Sequence, residues 1–425
     1  MRTKSSLLAG SVIAVSLVGC MTPDDGFTDV PIEGREDLSQ RIINTRIVDG
    51  LSEEITINAP EGLQSVLMEV RGGKGLYFLQ KFKTPSGELI EGGTYTTRFA
   101  REVPGLVDWL YPNSPTLSME SGEYKIRLLG ETTDGDRLTE DVEIRLYAKK
   151  QTGIDTCGIH LDFLVDENAI DNSQFELAVD RMAAWVNNLY ATKGIRILDY
   201  SISPISLPNP NFNVDDTTTV MGQIDDVLRQ ARSSGSARAD SVHVVVVRNI
   251  GGSEPSGYAM GLPGPFDADR SNAAVLVSTD AYTDSDNLLD VEGLGSTVAH
   301  EVGHFMGLYH TSESNGAQHD PIPDSPQCDG GICSPEFEKN IMSSGGGASR
   351  DSVTNGQAFV MKQHPLCAPT QFEVNVPTCD LSCDAPNTCS VVDGAKECRP
   401  ACDPDAPECA TGTCAPDDMG TFVCR

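Results

Sequence analysis

The placement of cysteine constrains the folding of this chain more than any other property. Of thirteen cysteines, none lies between Cys20 and Cys157, four stand at Cys157, Cys328, Cys333 and Cys367, and eight crowd into the stretch from Cys379 to Cys424. The long cysteine-free part must therefore fold by apolar burial alone. The last stretch has too few large apolar residues for a core of its own, so disulfides must hold it together. With Cys20 set aside the remaining cysteines are an even set, which suits disulfide formation in an oxidising compartment.

The residues around Cys20 explain why it stands apart. Arg2 and Lys4 are followed by an apolar run from Leu7 to Val18, too short to span a bilayer as a mature helix. It closes on Leu17-Val18-Gly19-Cys20, which resembles the lipobox of bacterial lipoproteins. The resemblance implies a signal peptide over 1–19, a lipid on Cys20, and an exported protein at the outer membrane or cell surface, held to the membrane by that lipid alone. The alternative is an ordinary signal peptide and a secreted product. The net charge of -31 argues against a nucleic-acid or anionic-membrane partner.

Pattern changes divide the rest. Residues 20–46 are mostly polar and read as a tether. Over 47–150, short runs of alternating apolar and polar residues, such as Val142-Glu143-Ile144-Arg145-Leu146-Tyr147, predict an all-β sandwich. Lys149-Lys150-Gln151 reads as a linker, either ordinary solvated charge or a site for a trypsin-like enzyme. Over 151–372 strands alternate with helices, with a nearly continuous apolar strand at Ser241 to Val247 that must be central. This predicts an α/β domain. Residues 373–425 form a small disulfide-rich segment. The fold class expected is thus multidomain: β sandwich, α/β domain, cysteine-rich end.

The chemistry is concentrated in His300-Glu301-Val302-Gly303-His304-Phe305-Met306-Gly307-Leu308-Tyr309-His310. Residues four apart share a helical face, so His300 and His304 can offer two imidazoles to one metal. Gly307 lets the backbone leave the helix, and His310 can swing back as a third ligand. Three protein ligands leave one position open, the catalytic pattern for zinc. Glu301 stands beside them as a general base. His160, His243 and His364 read as structural.

This segment resembles the metzincin clan of zinc peptidases, whose pattern it repeats. The resemblance implies a zinc-dependent endopeptidase that hydrolyses extracellular proteins or peptides through a zinc-activated water, with Glu301 as general base. It implies that Met342, in Asn340-Ile341-Met342-Ser343, is the methionine of a turn beneath the metal. It also implies that the strand around Ala273 to Val277 rims the cleft and pairs with substrate. Ser344 stands where several clan members carry a tyrosine. Downstream, Asp320-Pro321-Ile322-Pro323-Asp324-Ser325-Pro326 and Cys328 resemble the pappalysin and cytophagalysin branch, which implies calcium as a second cofactor with Asp320 and Asp324 as candidate ligands. Cys157, Cys328, Cys333 and Cys367 are expected to form two disulfides, their pairing left open. The catalytic unit is expected to be monomeric. The competing expectation is a catalytically silent surface binding or adhesion lipoprotein that keeps the fold.

Overall fold

The computed structural model describes residues 30–372, apart from short internal stretches of which 92–102 is the longest, and four short strands between 387 and 424. Cys20 and the expected signal peptide lie outside the described residues, as does most of the cysteine-rich end. What is described of that end is two antiparallel hairpins, Asn387–Val392 with Ala395–Pro400 and Cys414–Pro416 with Phe422–Cys424.

The first unit is β throughout. Its long strands include β1 (Arg35–Val48), β2 (Leu63–Arg71), β3 (Leu106–Tyr111) and β4 (Glu140–Lys150). Hydrogen bonding runs through one antiparallel sheet of 10 strands rather than two separate sheets, in which β1, β4, β2 and β3 are successive neighbours. Alternation works as expected. Ile144 and Leu146 of β4 are buried in the unit's own core with Val70 and Leu128, whereas Leu38, Leu67, Leu110 and Tyr147 belong to the core of the next unit. Edge strand β3 is covered by that unit, which removes a pairing hazard.

Two expectations need correction here. The stretch taken as a tether contains the strand Val30–Ile32 and almost all of β1, which pairs with β4 from Leu38↔Lys149 to Ile47↔Glu140. Its polar residues are not solvated linker: Arg35 pairs with Asp37 at 2.9 Å and donates to the carbonyl of Pro365 at 2.8 Å. Lys149 is neither solvated charge nor an exposed cleavage site. It is 1% exposed, and its ammonium donates to the carbonyls of Lys362, Cys367 and His364 at 2.5, 2.7 and 3.3 Å. Burial of this cation pulls its pKa down to about 7.

The second unit is α/β. Strands β5 (Cys157–Asp166), β6 (Ile195–Ile205), β7 (Ser241–Val247) and β9 (Ala274–Ser278) run parallel in the order β6-β5-β7-β9, and β8 (Gly257–Ala259) closes the edge antiparallel to β9. Every residue of β7 is buried, as a central strand requires. One sheet face, with Phe163, Val244 and Val277, packs on helices α1 (Phe175–Ala191) and α3 (Val291–Phe305). The other, with Leu164, Val245 and Leu276, packs on α2 (Thr217–Ser233), whose start Asp216 caps by accepting from the Thr219 amide. A last helix, α4 (Asn355–Gln363), has a capping box formed by Thr354 and Gln357.

The four cysteines pair as Cys157–Cys367 and Cys328–Cys333. The first ties the start of β5 to the segment after α4. Among the described residues no helix is long and apolar enough to cross a membrane.

Candidate metal centre

Helix α3 begins where Asp290 accepts from the Gly293 amide, and it is buried along its whole length. A buried helix suits its composition, because Gly293, Gly295 and Gly303 let neighbours approach closely. A Cβ on Gly303 would stand 2.7 Å from Sδ of Met342. Met342 is fully buried. Its amide donates to Oδ1 of Asn340 at 2.9 Å, and its carbonyl accepts from Thr311 at 3.0 Å. The methionine thus packs beneath the helix and braces the chain just beyond His310.

The helix ends at Phe305, and the chain turns at Gly307 with φ of 100°. A positive φ here is what glycine supplies at low cost. The turn brings His310 back, so that its Nε2 lies 3.2 Å from Nε2 of His304 and 3.3 Å from Nε2 of His300. Among the described residues, these three are the only group of potential metal ligands whose donor atoms come together.

The opposite side of each ring is tied down. Nδ1 of His300 donates to the Ile341 carbonyl at 2.5 Å, Nδ1 of His304 to the Leu308 carbonyl at 2.7 Å, and Nδ1 of His310 to Oε2 of Glu313 at 3.2 Å. A proton on Nδ1 leaves the lone pair on Nε2, the tautomer that binds a metal; at His300 the Ile341 carbonyl and the Arg350 guanidinium compete for Nδ1. The pKa of His300 is held well below its usual value, first by burial and then by Arg350 and His310. Its neutral form is therefore the stable one, as a ligand must be. Three imidazole nitrogen donors fit zinc.

Glu301 follows His300 and is 6% exposed. Its carboxylate faces edge strand β8: a Cβ on Gly257 would stand 2.6 Å from Oε1 and 2.7 Å from Cγ2 of Thr297. The Thr297 hydroxyl is hydrogen-bonded to Tyr282. Arg350 lies on the other side, with Nη1 2.8 Å from Nδ1 of His300 and 3.4 Å from the Ser343 carbonyl to which it donates. Gly257, Tyr282 and Arg350 had no signal in the sequence, since each comes from a loop or short strand remote from the motif. The cleft's rim also differs from expectation. Strand β9 has no free edge, being paired with β7 on one side and β8 on the other, so the edge next to Glu301 belongs to Gly257–Ala259.

The acidic candidates for calcium serve the protein instead. Asp320 accepts from the Ile322 amide at 3.1 Å and the Ser325 hydroxyl at 2.8 Å. Asp324 accepts from the Thr354 hydroxyl at 2.8 Å and the Gly356 amide at 3.0 Å. Both act as loop and helix-start acceptors. Burial pushes Asp320 up to about 7.

Residues 178–311, which carry α1 through the third histidine, match the metallo-peptidase family M12B reprolysin-like domain. This segment is similar to reprolysin-like metallopeptidase domains, which are of metzincin type. An extracellular metalloprotease of Colletotrichum graminicola is 30% identical over 152 residues, which is 34% of this chain. The chain covers 49% of that relative's length. Two solved structures show a loose likeness to this chain. Archaemetzincin from Methanopyrus kandleri has 16% identity and a TM-score of 0.26, covering 49% of this chain and 88% of that one. Metalloproteinase-II from Bacteroides fragilis has 9% identity and a TM-score of 0.30, covering 52% and 61%. Likeness this loose carries no argument about mechanism.

Proposed function

We propose that this protein is a zinc-dependent endopeptidase acting on extracellular proteins or peptides, with His300, His304 and His310 as zinc ligands and Glu301 as general base. The observation that carries the reading is the convergence of three Nε2 atoms, each on a ring whose Nδ1 has an acceptor within hydrogen-bonding distance. Such a constellation has no use in a helix that only packs.

Bound zinc supplies a lowered pKa for the water it holds, towards about 7, and polarises a substrate carbonyl. The protein's own part is proton transfer and positioning. The Glu301 carboxylate takes a proton from the attacking water and passes it to the leaving amine. Gly257, having no side chain, lets the edge of β8 come close to that carboxylate, where an extended peptide can add as a further strand. Met342 serves as floor rather than ligand. The acidic stretch from Asp320 to Pro326 supports placement near the pappalysin-like branch, although Asp320 is engaged within the loop and Asp324 at the start of α4.

The named relative is an extracellular protease, which supports export. We further infer that Cys20 carries a lipid and anchors the protein at the outer membrane or cell surface, on the strength of the residues that precede it. Metabolic labelling with a fatty-acid analogue tests this, and a Cys20→Ser protein that still takes up label refutes it.

The test of the peptidase reading is Glu301→Ala measured on a peptide library, with zinc content read beside it. Hydrolysis is expected to vanish while about one zinc per chain remains bound. Retained turnover refutes the role of Glu301. Zinc-loaded wild-type protein that cleaves no peptide refutes the peptidase itself and favours a silent binding protein.

A further inference from the structure

We propose that the β unit is a working part of the metal centre: it positions the corner at Gly307 that brings His310 to the other two histidines. The proposal rests on the metal-ligand reading above, but not on peptide cleavage.

The corner has a demanding task. The chain must reverse between His304 and His310, and it does so through two backbone bonds, Gly307 amide to His304 carbonyl and Leu308 amide to Gly303 carbonyl, each 2.9 Å. The Leu308 carbonyl released by this turn is the acceptor that orients His304. Two of the three ligands therefore depend on where residues 307 and 308 sit.

What holds them is not the peptidase unit alone. The neighbour nearest to the face of Gly307 is Leu110 of β3, whose Cδ2 would stand 2.9 Å from a Cβ placed there; Val360 follows at 3.5 Å and Pro263 at 3.9 Å. Leu110 comes from the edge strand of the β unit and is buried in the peptidase core. Pro263 opens a segment that also closes the end of α3, where the Gly264 amide donates to the Phe305 carbonyl at 2.8 Å.

That segment is itself clamped by the β unit. Oε1 of Glu69, on β2, accepts from the Phe266 and Asp267 amides at 2.6 and 3.2 Å. Arg270 donates to Glu69 at 2.9 Å and to Asp108 of β3 at 2.6 Å, and Asn272 donates to the other oxygen of Asp108 at 2.6 Å. Asp267 is paired with Arg71 and Arg145. Glu69, Asp108 and Arg270 are each almost wholly buried. Removing one partner of a buried ion pair leaves the other charge uncompensated, so the seam resists sliding and separation. Leu110 thus presses on one side of the corner while Glu69 and Asp108 fix the segment that flanks it. A removable or accessory domain needs no such arrangement.

The test compares two truncations in the full-length protein. Leu110→Ala removes the contact with the corner. Leu128→Ala removes a side chain of the β unit's own core, also fully buried but outside the peptidase core. Zinc affinity is measured by competition with a chromophoric chelator, the absorption of the cobalt-substituted protein reports ligand geometry, and melting temperature reports stability. Leu110→Ala is expected to weaken zinc binding by about 10- to 100-fold, the range seen when groups that orient metal ligands are removed, and to shift the cobalt bands. Leu128→Ala is expected to lower the melting temperature and leave affinity and spectrum unchanged. Leu110→Met should restore affinity, and Leu110→Val serves if the alanine variant does not fold. Wild-type affinity in the Leu110 variants, or equal weakening by Leu128→Ala, overturns the proposal. Wild-type protein that binds zinc tightly and cleaves nothing overturns the peptidase reading alone.

Discussion

Gly257→Ala separates the proposed base from the proposed ligands. The glycine lies on β8, and its φ is not among the positive ones, so alanine fits the backbone there. Substitution by itself should stabilise a strand by about 0.5–1 kcal/mol, through the lower entropy of the unfolded chain. The new methyl, however, would lie 2.6 Å from Oε1 and 2.9 Å from Cγ of Glu301, and 2.7 Å from Cγ2 of Thr297. Thr297 is on the helix and cannot yield far, so the Glu301 side chain must. Normal contact requires it to move by something approaching 1 Å, a misplacement that costs about 100-fold in rate, or roughly 2.7 kcal/mol of barrier. None of the three histidines is among the atoms nearest the added methyl. The expected result is a fall in kcat/KM of about this size on a peptide library, with zinc content and melting temperature close to wild type. Wild-type kcat/KM would refute the reasoning. Loss of zinc together with activity would refute it also, because the clash would then have reached the ligands.

The other predictions concern the frame around the site. Replacing both Cys157 and Cys367 by serine opens a crosslink with a sequence separation of 210, worth about 5 kcal/mol in the chain-entropy treatment, whereas opening Cys328–Cys333, with a separation of 5, costs about 2 kcal/mol; denaturant titration should rank them in that order. Asp320 has a folded-state pKa raised to about 7 by burial, so the stability it contributes is present below its unfolded value of 3.8 and is lost as pH rises through 7. Asp320→Asn should therefore match wild type in melting temperature at acid pH and exceed it at pH of about 8; an equal difference at both pH values speaks against this. Limited trypsin digestion followed by mass spectrometry should find no cut at Lys149 in the native protein, since its side chain is enclosed and its backbone pairs in the sheet centre.

The site was legible because its spacing is dictated by helix geometry. Residues 300 and 304 share a face wherever such a helix forms, and Gly307 announces the turn to His310. The order of strands and helices in the second unit was legible for a similar reason: Phe163, Val244 and Val277 alternate with Leu164, Val245 and Leu276 because the sheet buries both faces. Strand β8 was not legible. Three residues, Gly257-Tyr258-Ala259, are too short for periodicity, and what makes them matter is proximity to Glu301 across a fold that no local pattern encodes. Asp320 and Asp324 misled in another way. Carboxylates that take loop amides and carboxylates that take calcium have the same composition, and only their partners distinguish them.

The seam between the units shows why charge is a poor guide to domain independence. Arg35, Asp37, Glu69, Asp108, Lys149 and Arg270 alternate with apolar residues or sit in polar runs, the usual signature of a solvated face. In the folded protein all of them are buried or nearly so, because the outward face of the β unit is the inward face of a larger assembly. Each carries a specific partner across the seam or beside it. Apolar burial there would tolerate sliding, but paired buried charges hold only one register, since displacement leaves an ion uncompensated at a cost of about 3–5 kcal/mol. Such fixity is what a ligand set hung on a single glycine corner requires. The polar seam and the three histidines therefore belong to one design, in which Glu69 and Asp108 anchor the segment that flanks the turn carrying His310.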